Sequence, residues 1–204
     1  MNKNKQGRRR GDELLEAIYE VTYQILETEG YKEINFTRIA REAKTSRSVL
    51  YRYWDTTFDL VFDTVHNKRK PNKIIMDKLD FDYGNLRSNL MFIGEDFILT
   101  LESFPKEFYR IMLSEMIQHQ ERSKKILLEA TTFHNKLIDY VLQLAIDQKE
   151  ITKWPPVETK LSLFQLIRYA FIVENEIVSK QKLESIIDYV VLPAILSFSQ
   201  RRKT

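Results

Sequence analysis

Residues 44–54 hold the side chains that are best suited to binding a partner. This stretch, KTSRSVLYRYW, combines three cations with two tyrosines and a tryptophan, and it is too polar to lie in a core. Arginine can donate two hydrogen bonds to guanine, and serine or tyrosine hydroxyls can reach phosphate oxygens. The stretch is therefore a candidate for a catalytic pocket, a partner-helix contact or a nucleic-acid contact.

The residues before this stretch predict a short helix that ends in a tight turn. Asn35 is a favoured N-cap residue, and the helix that it starts spans about two turns. Lys44 and Thr45 follow as the turn. Apolar residues at helical spacing form the inner face of this helix: Ile39, Ala40 and Ala43.

A second short helix follows the turn, and a further helix follows that one. Ser46 is placed to cap the second helix, with Leu50 and Trp54 pointing inward. Thr56 is placed to cap the next helix, with Asp59 as its capping-box partner. The second helix then presents polar side chains outward: Arg47, Ser48, Tyr51, and Arg52 or Tyr53. Two short helices joined by a tight turn form a helix-turn-helix, whose second helix fits the DNA major groove.

The net charge of +3 hides a strong pattern along the chain. Residues 1–11 carry five cations and no acid, residues 12–33 carry seven acids and one lysine, and residues 34–54 carry five cations and one acid. Charge runs are often only solvated, and for the N-terminal arm alone that alternative stays open. Together with the helix-turn-helix, the two basic segments favour a polyanion such as DNA.

The rest of the chain predicts further helices and no strand. Gly30 ends a first apolar stripe that begins at Leu14, and later apolar residues also recur at helical spacing. The sequence contains no Asn-Gly or Asp-Gly hairpin turn and no internal repeat. The predicted fold class is all-α. The later helices are expected at about 85–104, 106–119, 122–149, 157–179 and 182–199.

Length and composition indicate a soluble protein with one large or two small domains. The 204 residues are 43% hydrophobic and 30% charged. There is no cysteine, so disulfides and cysteine-based metal sites are excluded, and no metal or cofactor is predicted. The longest uncharged run, residues 189–200, is shorter than the roughly 20 residues of a membrane span. These features suit a cytoplasmic chain.

An enzyme is the main rival class, and the sequence gives it little support. His66, His119 and His134 stand on different predicted elements, and no His-Glu-x-x-His helix is present. The five glycines are isolated, so there is no glycine-rich phosphate loop, and no nucleophile elbow occurs. No catalytic residue is predicted.

The stretch GYKEINFTRIAREAKTSRSVLYRYW, residues 30–54, resembles the DNA-binding domain of the TetR (tetracycline repressor) family of bacterial regulators. That family is similar in having Gly-Tyr, a capped helix with Ile-Ala, a turn, and a Ser-x-x-x-Leu-Tyr helix that ends in an aromatic residue. The resemblance implies a basic arm at 1–11 and a DNA-binding domain at 12–72, with its helix-turn-helix at about 35–54. It implies a ligand-binding and dimerisation domain at 73–204.

The resemblance also implies how such a protein acts. It implies a homodimer, joined through about 157–199, that binds a palindromic operator as a repressor and is released by a small-molecule effector. Taken with the resemblance, the predicted DNA contacts are Arg8, Arg9, Arg10, Asn35, Thr37, Arg38, Thr45, Arg47, Ser48, Tyr51, Arg52, Tyr53 and Thr57.

Two residues depart from the family pattern. Lys44 stands where the turn commonly has a left-handed glycine, a conformation that costs other residues roughly 1–2 kcal/mol. Thr57 stands where the family has a phosphate-binding lysine; its hydroxyl can bond a phosphate but supplies no counterion release. The arginines of the arm are therefore expected to contribute more of the affinity.

The predicted C-terminal domain leaves two alternatives open. Its last two helices are apolar on more than one face, which is typical of a buried helix or of one shared between subunits. Pro193 is expected to kink the last helix rather than end it.

The middle helices favour either a solid core, which would make a ligand-independent DNA-binding protein, or a pocket for an apolar effector. Their aromatic and methionine stripe is Phe92, Phe97, Phe104, Phe108, Tyr109, Met112, Met116, Phe133 and Tyr140, and Glu115, His119 and His134 are polar residues near it.

Overall fold

The structure is a computed structural model, and over the residues that it describes every regular element is helical. The all-α class predicted from the sequence is confirmed. Among the described residues, no helix is both long enough and apolar enough to cross a membrane. The described residues are 3–68, 79–118 and 120–200, with backbone alone at 3–10, 106, 116, 118, 120–131 and 200.

The helices vary in length from 7 to 28 residues. In chain order they are α1 (Lys3–Thr28), α2 (Phe36–Glu42), α3 (Arg47–Tyr53), α4 (Thr57–Lys68), α5 (Leu86–Glu102), α6 (Lys106–Gln118), α7 (Gln120–Asp147), α8 (Val157–Arg168), α9 (Lys180–Ile186) and α10 (Leu192–Gln200). A 3-10 turn, Tyr31–Glu33, precedes α2, and two π-helical segments, Tyr169–Val173 and Ile187–Val191, follow α8 and α9.

The chain divides into two compact units, and the first contains the helix-turn-helix segment. This unit comprises Met1–Lys70 and Ser103–Glu115, so its second piece comes from the part of the sequence that was assigned to the C-terminal domain. In it α1 packs against α2 and α4, and α2 packs against α3. Ile18, Ile39 and Leu50 have no exposed surface, and burying each such side chain contributes about 1.5–3 kcal/mol.

Aromatic side chains pack the second piece of this unit. The rings of Phe104 and Phe108 stack, with centroids 5.3 Å apart and an interplanar angle of 14°. Phe62 and His66 of α4 lie 6.2 and 6.1 Å from the ring of Phe108. The aromatic stripe expected in the middle helices is therefore divided, since part of it packs in the first unit.

Helix α1 begins well before the apolar stripe that starts at Leu14. The helix begins at Lys3, so the backbone of the basic arm is helical and does not precede the first helix. Further along α1, Glu16 and Glu20 each place a carboxylate oxygen 2.6 Å from the Nζ atom of Lys68. Two acids of the run at residues 12–33 thus form ion pairs with α4.

The second unit comprises Pro71–Glu102 and Met116–Thr204. In it α5 packs against α7, α8 and α9. Gly94 of α5 permits the close approach of α9, because a Cβ atom there would lie 2.7 Å from the Cδ1 atom of Leu183. The guanidinium of Arg87 donates two hydrogen bonds, of 2.6 and 2.7 Å, to the carboxylate of Asp188 and so joins α5 to the second π-helical segment.

The last two helical stretches are not the continuous α-helices that the sequence predicted. The first π-helical segment ends at Val173, where the Glu174 amide donates to the Tyr169 carbonyl at 3.1 Å. Residues 180–200 stay helical, which confirms that Pro193 does not end the last helix. Proline lacks an amide hydrogen, and its ring crowds the carbonyl four residues earlier. That carbonyl belongs to Tyr189, inside the second π-helical segment. The π-helical segment therefore lies at the part of the helix that Pro193 disturbs.

Candidate nucleic-acid interface

Helix α2 starts at the residue that the sequence predicted. The Asn35 side-chain oxygen accepts a hydrogen bond of 2.9 Å from the Arg38 amide, which confirms the N-cap. The Asn35 side-chain amide also donates to the Glu33 carbonyl at 3.4 Å. Asn35 and Thr37 are exposed at this end of α2, so both predicted contacts lie on the surface.

The turn between α2 and α3 contains a left-handed lysine, at the position where the resemblance places a left-handed glycine. Lys44 has a φ angle of 52°. On either side of it, the Ala43 amide donates to the Ile39 carbonyl and the Thr45 amide donates to the Ala40 carbonyl, each at 2.8 Å. These bonds close the end of α2 around Lys44 in the way that usually calls for glycine. Thr45, a predicted contact, is half-buried in the turn.

Ser46 occupies the N-cap position of α3 but makes no capping bond with its side chain. Its hydroxyl lies 2.8 Å from the hydroxyl of Ser48 instead. The predicted capping interaction is therefore wrong, because the neighbouring hydroxyl takes the place of the backbone amide. Both hydroxyls lie at the exposed start of α3.

Two buried side chains fix α3 within the first unit. Leu50 is fully buried and Trp54 is 3% exposed, which confirms both as inward residues. The indole N–H of Trp54 donates to Asp63 of α4 at 2.8 Å, and the Tyr19 ring of α1 lies edge-on at 5.9 Å. Asp63 was not predicted from the sequence, although a buried indole N–H usually requires an acceptor.

The opposite face of α3 carries exposed cations and aromatics. The guanidinium of Arg47 lies 5.9 Å from the ring centroid of Tyr51, and that of Arg52 lies 5.9 Å from the ring centroid of Tyr53. Within the described part of the chain, neither arginine forms an ion pair. The structure thus brings five of the predicted contacts onto one short helix, all exposed: Arg47, Ser48, Tyr51, Arg52 and Tyr53.

Arg38 was predicted to contact DNA, and the structure gives it other partners. Its guanidinium donates to both carboxylate oxygens of Glu29, at 2.9 and 2.5 Å, and to Glu42 at 2.8 Å. Glu33 lies 3.9 Å away. The bonds to Glu29 and then Glu42 raise the pKa of Arg38 above its usual value. Carboxylates therefore surround its guanidinium in the free protein, and the contact of Arg38 with DNA stays a prediction.

The start of α4 shows the predicted capping box. Asp59 Oδ2 accepts from the Thr56 amide at 2.9 Å, and Thr56 Oγ1 accepts from the Asp59 amide at 3.3 Å. Thr57, the predicted phosphate contact, is half-buried, and its Oγ1 atom lies 3.2 Å from the Tyr31 hydroxyl. The side chains of Arg8, Arg9 and Arg10 lie outside those described, so their contact with DNA stays a prediction.

Two of the three polar candidates of the C-terminal part, Glu115 and His134, are among the described residues. His134 is buried against the rings of Phe97 and Phe164, at centroid distances of 4.8 and 4.5 Å. Burial, and then the charge of Arg168, lower the pKa of His134 to about 3. Glu115 belongs to the first unit, and His119 lies outside the described residues. Where side chains are described, no group of acids and histidines is arranged to hold a metal ion.

Comparisons with known proteins cover the segment that contains the helix-turn-helix. Residues 18–63 match the family model for bacterial regulatory proteins of the tetR family. Three relatives are named uncharacterized HTH-type transcriptional regulators, one from Mycobacterium bovis and two from strains of Mycobacterium tuberculosis. Each is 22% identical over 176 residues, covering 86% of this chain and 84% of its own length. The resemblance seen in residues 30–54 is confirmed.

Proposed function

We propose that this protein, a member of the TetR family of DNA-binding transcriptional regulators, binds a palindromic operator as a homodimer and represses transcription until a small apolar effector releases it. The proposal rests mainly on the exposed face of α3. Its inner face is locked by Leu50 and Trp54, so the outer face is presented on a rigid support. A helix of this kind in the major groove places its first residues at base edges. Such a protein works in the cytoplasm, where its operator lies.

The chemistry of that face matches DNA. Arg47 stands in the first turn of α3, where a guanidinium can bind guanine with two hydrogen bonds. Arg52 and Lys44 are exposed and add positive charge, which suits the phosphates that flank a groove. The hydroxyls of Ser48 and Tyr51 can donate to phosphate oxygens, which position the protein.

Exposed apolar side chains in the second unit support the homodimer. α8 packs against α10 and against the second π-helical segment. Five large apolar residues in and beside the two π-helical segments are 49–81% exposed, which is unfavourable for a monomer in water. They are Tyr169, Val173, Ile177, Tyr189 and Val190. A two-fold dimer would cover this surface and place two recognition helices on the two halves of a palindrome.

The effector is supported by the aromatic surroundings of His134 in the second unit. Rings of Phe97, Phe133 and Phe164 contact this histidine, and aromatic side chains of this kind suit an apolar ligand. For release, the ligand must bind more tightly to the form that does not bind DNA, and DNA must then weaken ligand binding by the same factor.

Selection of bound duplexes from fragments of the source genome tests the proposal. We expect an enriched palindromic site, retained by the wild type and by Lys136→Ala, a control for charge loss at an exposed position of α7. Arg47→Ala should lose the enrichment. Absence of any enriched site would contradict sequence-specific DNA binding. Thermal-shift screening against apolar compounds tests the effector separately, and a protein that binds DNA but responds to no compound would be the ligand-independent alternative.

A further inference from the structure

Arg47 and Tyr51 form a pair on the exposed face of α3. They are four residues apart and therefore lie one above the other on the helix surface. The guanidinium carbon of Arg47 lies 5.9 Å from the centroid of the Tyr51 ring, within the range of a cation–π interaction. The ring thus provides a surface that favours one set of Arg47 rotamers.

The Tyr51 ring also packs against a buried residue of α2. Phe36 of α2 meets it edge to face, with centroids 4.8 Å apart and an interplanar angle of 83°. Phe36 is 6% exposed and follows the Asn35 cap, so it is fixed by the core and by the start of α2. Tyr51 is 53% exposed, which leaves its other side open to Arg47 and to solvent. The buried Phe36 therefore contacts the Tyr51 ring, and the Tyr51 ring in turn contacts the guanidinium of Arg47.

We propose that Tyr51 is a positioning residue for sequence recognition: its ring, supported by Phe36, orders the guanidinium of Arg47 for hydrogen bonding to a base. The inference rests on the proposed DNA-binding function. An arginine side chain loses much rotamer freedom when it binds a base, and an ordered guanidinium has less to lose. This role needs only the ring of Tyr51. A role in positioning the protein on the DNA backbone would instead need the Tyr51 hydroxyl, which can donate to a phosphate.

Two substitutions at position 51 separate the ring from the hydroxyl. Tyr51→Phe keeps the ring, and Tyr51→Leu removes it; Tyr51→Met is a second variant without a ring at this half-exposed position. The probe is the duplex selected by the wild type, compared with the same duplex changed at single base pairs. We expect Tyr51→Phe to keep the wild-type preference between these duplexes. Tyr51→Leu and Tyr51→Met should reduce the preference by about two- to fivefold, as expected for an exposed cation–π contact.

A double-mutant cycle with Arg47→Ala gives the decisive measurement. If the ring acts through Arg47, Tyr51→Leu should cause no further loss of preference in the Arg47→Ala background. Tyr53→Leu is the matched control, since it removes the ring beside Arg52 at the other end of α3. It should lower affinity for all duplexes and leave the preference at the Arg47 base pair unchanged.

The possible outcomes are distinct. Equal losses in Tyr51→Phe and Tyr51→Leu would assign the effect to the hydroxyl and overturn the inference, as would additive losses in the cycle. Both results leave the DNA-binding proposal standing. A wild-type protein that selects no duplex would overturn that proposal and this inference together. Circular dichroism of each free variant checks that the helices are intact.

Discussion

The guanidinium of Arg38 donates to both carboxylate oxygens of Glu29, at 2.9 and 2.5 Å, and so joins α2 to the residue that follows α1. A bidentate pair of this kind fixes orientation as well as distance. Glu42 adds a bond along α2 itself. An arginine held in this way positions the helix-turn-helix, and its charge is already balanced before DNA arrives.

We therefore expect Arg38→Gln to lower the melting temperature and to weaken DNA binding without changing its salt dependence. Removing a cation that binds a phosphate would reduce the log–log salt slope by about 0.9, whereas removing a positioning residue leaves the slope unchanged. Arg41→Gln is the control, since Arg41 is exposed on the same helix. A reduced slope for Arg38→Gln would show that this arginine binds a phosphate.

Lys44 is strained in the turn, and glycine should relieve the strain. Its φ angle of 52° costs a residue with a Cβ atom roughly 1–2 kcal/mol. Glycine loses more freedom on folding, which offsets about 0.5–1 kcal/mol of the gain. We expect Lys44→Gly to raise the free energy of unfolding in urea by about 0.5–1 kcal/mol. Lys44→Ala removes the ammonium but keeps the strain, so an equal gain in that variant would contradict the explanation.

Features that depend on near neighbours in the chain could be predicted from the sequence. The cap at Asn35, the capping box of Thr56 and Asp59, and the left-handed Lys44 are set by residues within a few positions. Leu50 and Trp54 follow from helical periodicity. These local signals also carried the family resemblance, which the match of residues 18–63 to the tetR family model confirms.

Features that depend on distant or competing partners were missed. Arg38 looks like any exposed cation until the fold brings Glu29 beside it, nine residues away in sequence. Ser46 bonds to a neighbouring hydroxyl and not to the amide that the cap pattern assigns to it. The π-helical segments change the spacing of residues along each helix face, so the exposure of Tyr169 and Tyr189 could not be predicted from a regular helical period.

The second π-helical segment offers a direct test of the homodimer. Tyr189 is 81% exposed, so a charged residue there should fold as well as tyrosine does. In a two-fold interface the same residue occurs twice, and Tyr189→Arg would bring two unpaired charges to a surface that excludes water. We expect the wild type to sediment as a dimer at micromolar concentration and Tyr189→Arg to sediment as a monomer. Lys136→Glu, exposed on α7, should remain a dimer. A monomeric wild type would contradict the proposal.

His134 should make the stability of the protein depend on pH. Its pKa is lowered to about 3 in the folded state, by burial and then by Arg168, from 6.5 for an ordinary histidine. Between these values the unfolded chain binds a proton that the folded chain does not, so stability is complete above about pH 6.5 and is lost as the pH falls. The expected slope is about 1.4 kcal/mol per pH unit. Comparing urea unfolding of the wild type and His134→Gln from pH 7 to 5 isolates this contribution, and identical slopes would contradict it.

Arg47 and the basic arm should differ in what each contributes to DNA binding. Arg47 stands where a recognition helix meets base edges, so Arg47→Ala should cost about 1–3 kcal/mol on the selected operator and little on a scrambled duplex. The arm is expected to meet phosphates or a minor groove. Because the backbone is helical from Lys3, replacing Arg8, Arg9 and Arg10 by glutamine tests its charge without shortening α1.

This triple replacement should weaken binding to both duplexes alike and reduce the log–log salt slope by about 0.9 for each phosphate that the arm no longer neutralises. Salt titrations of both variants on both duplexes measure the two effects side by side. Arg47→Ala should leave the slope nearly unchanged, because binding to a base edge releases no counterion from the phosphates. If Arg47→Ala weakens both duplexes equally and lowers the slope, Arg47 binds a phosphate, and sequence recognition must then depend on other residues of α3.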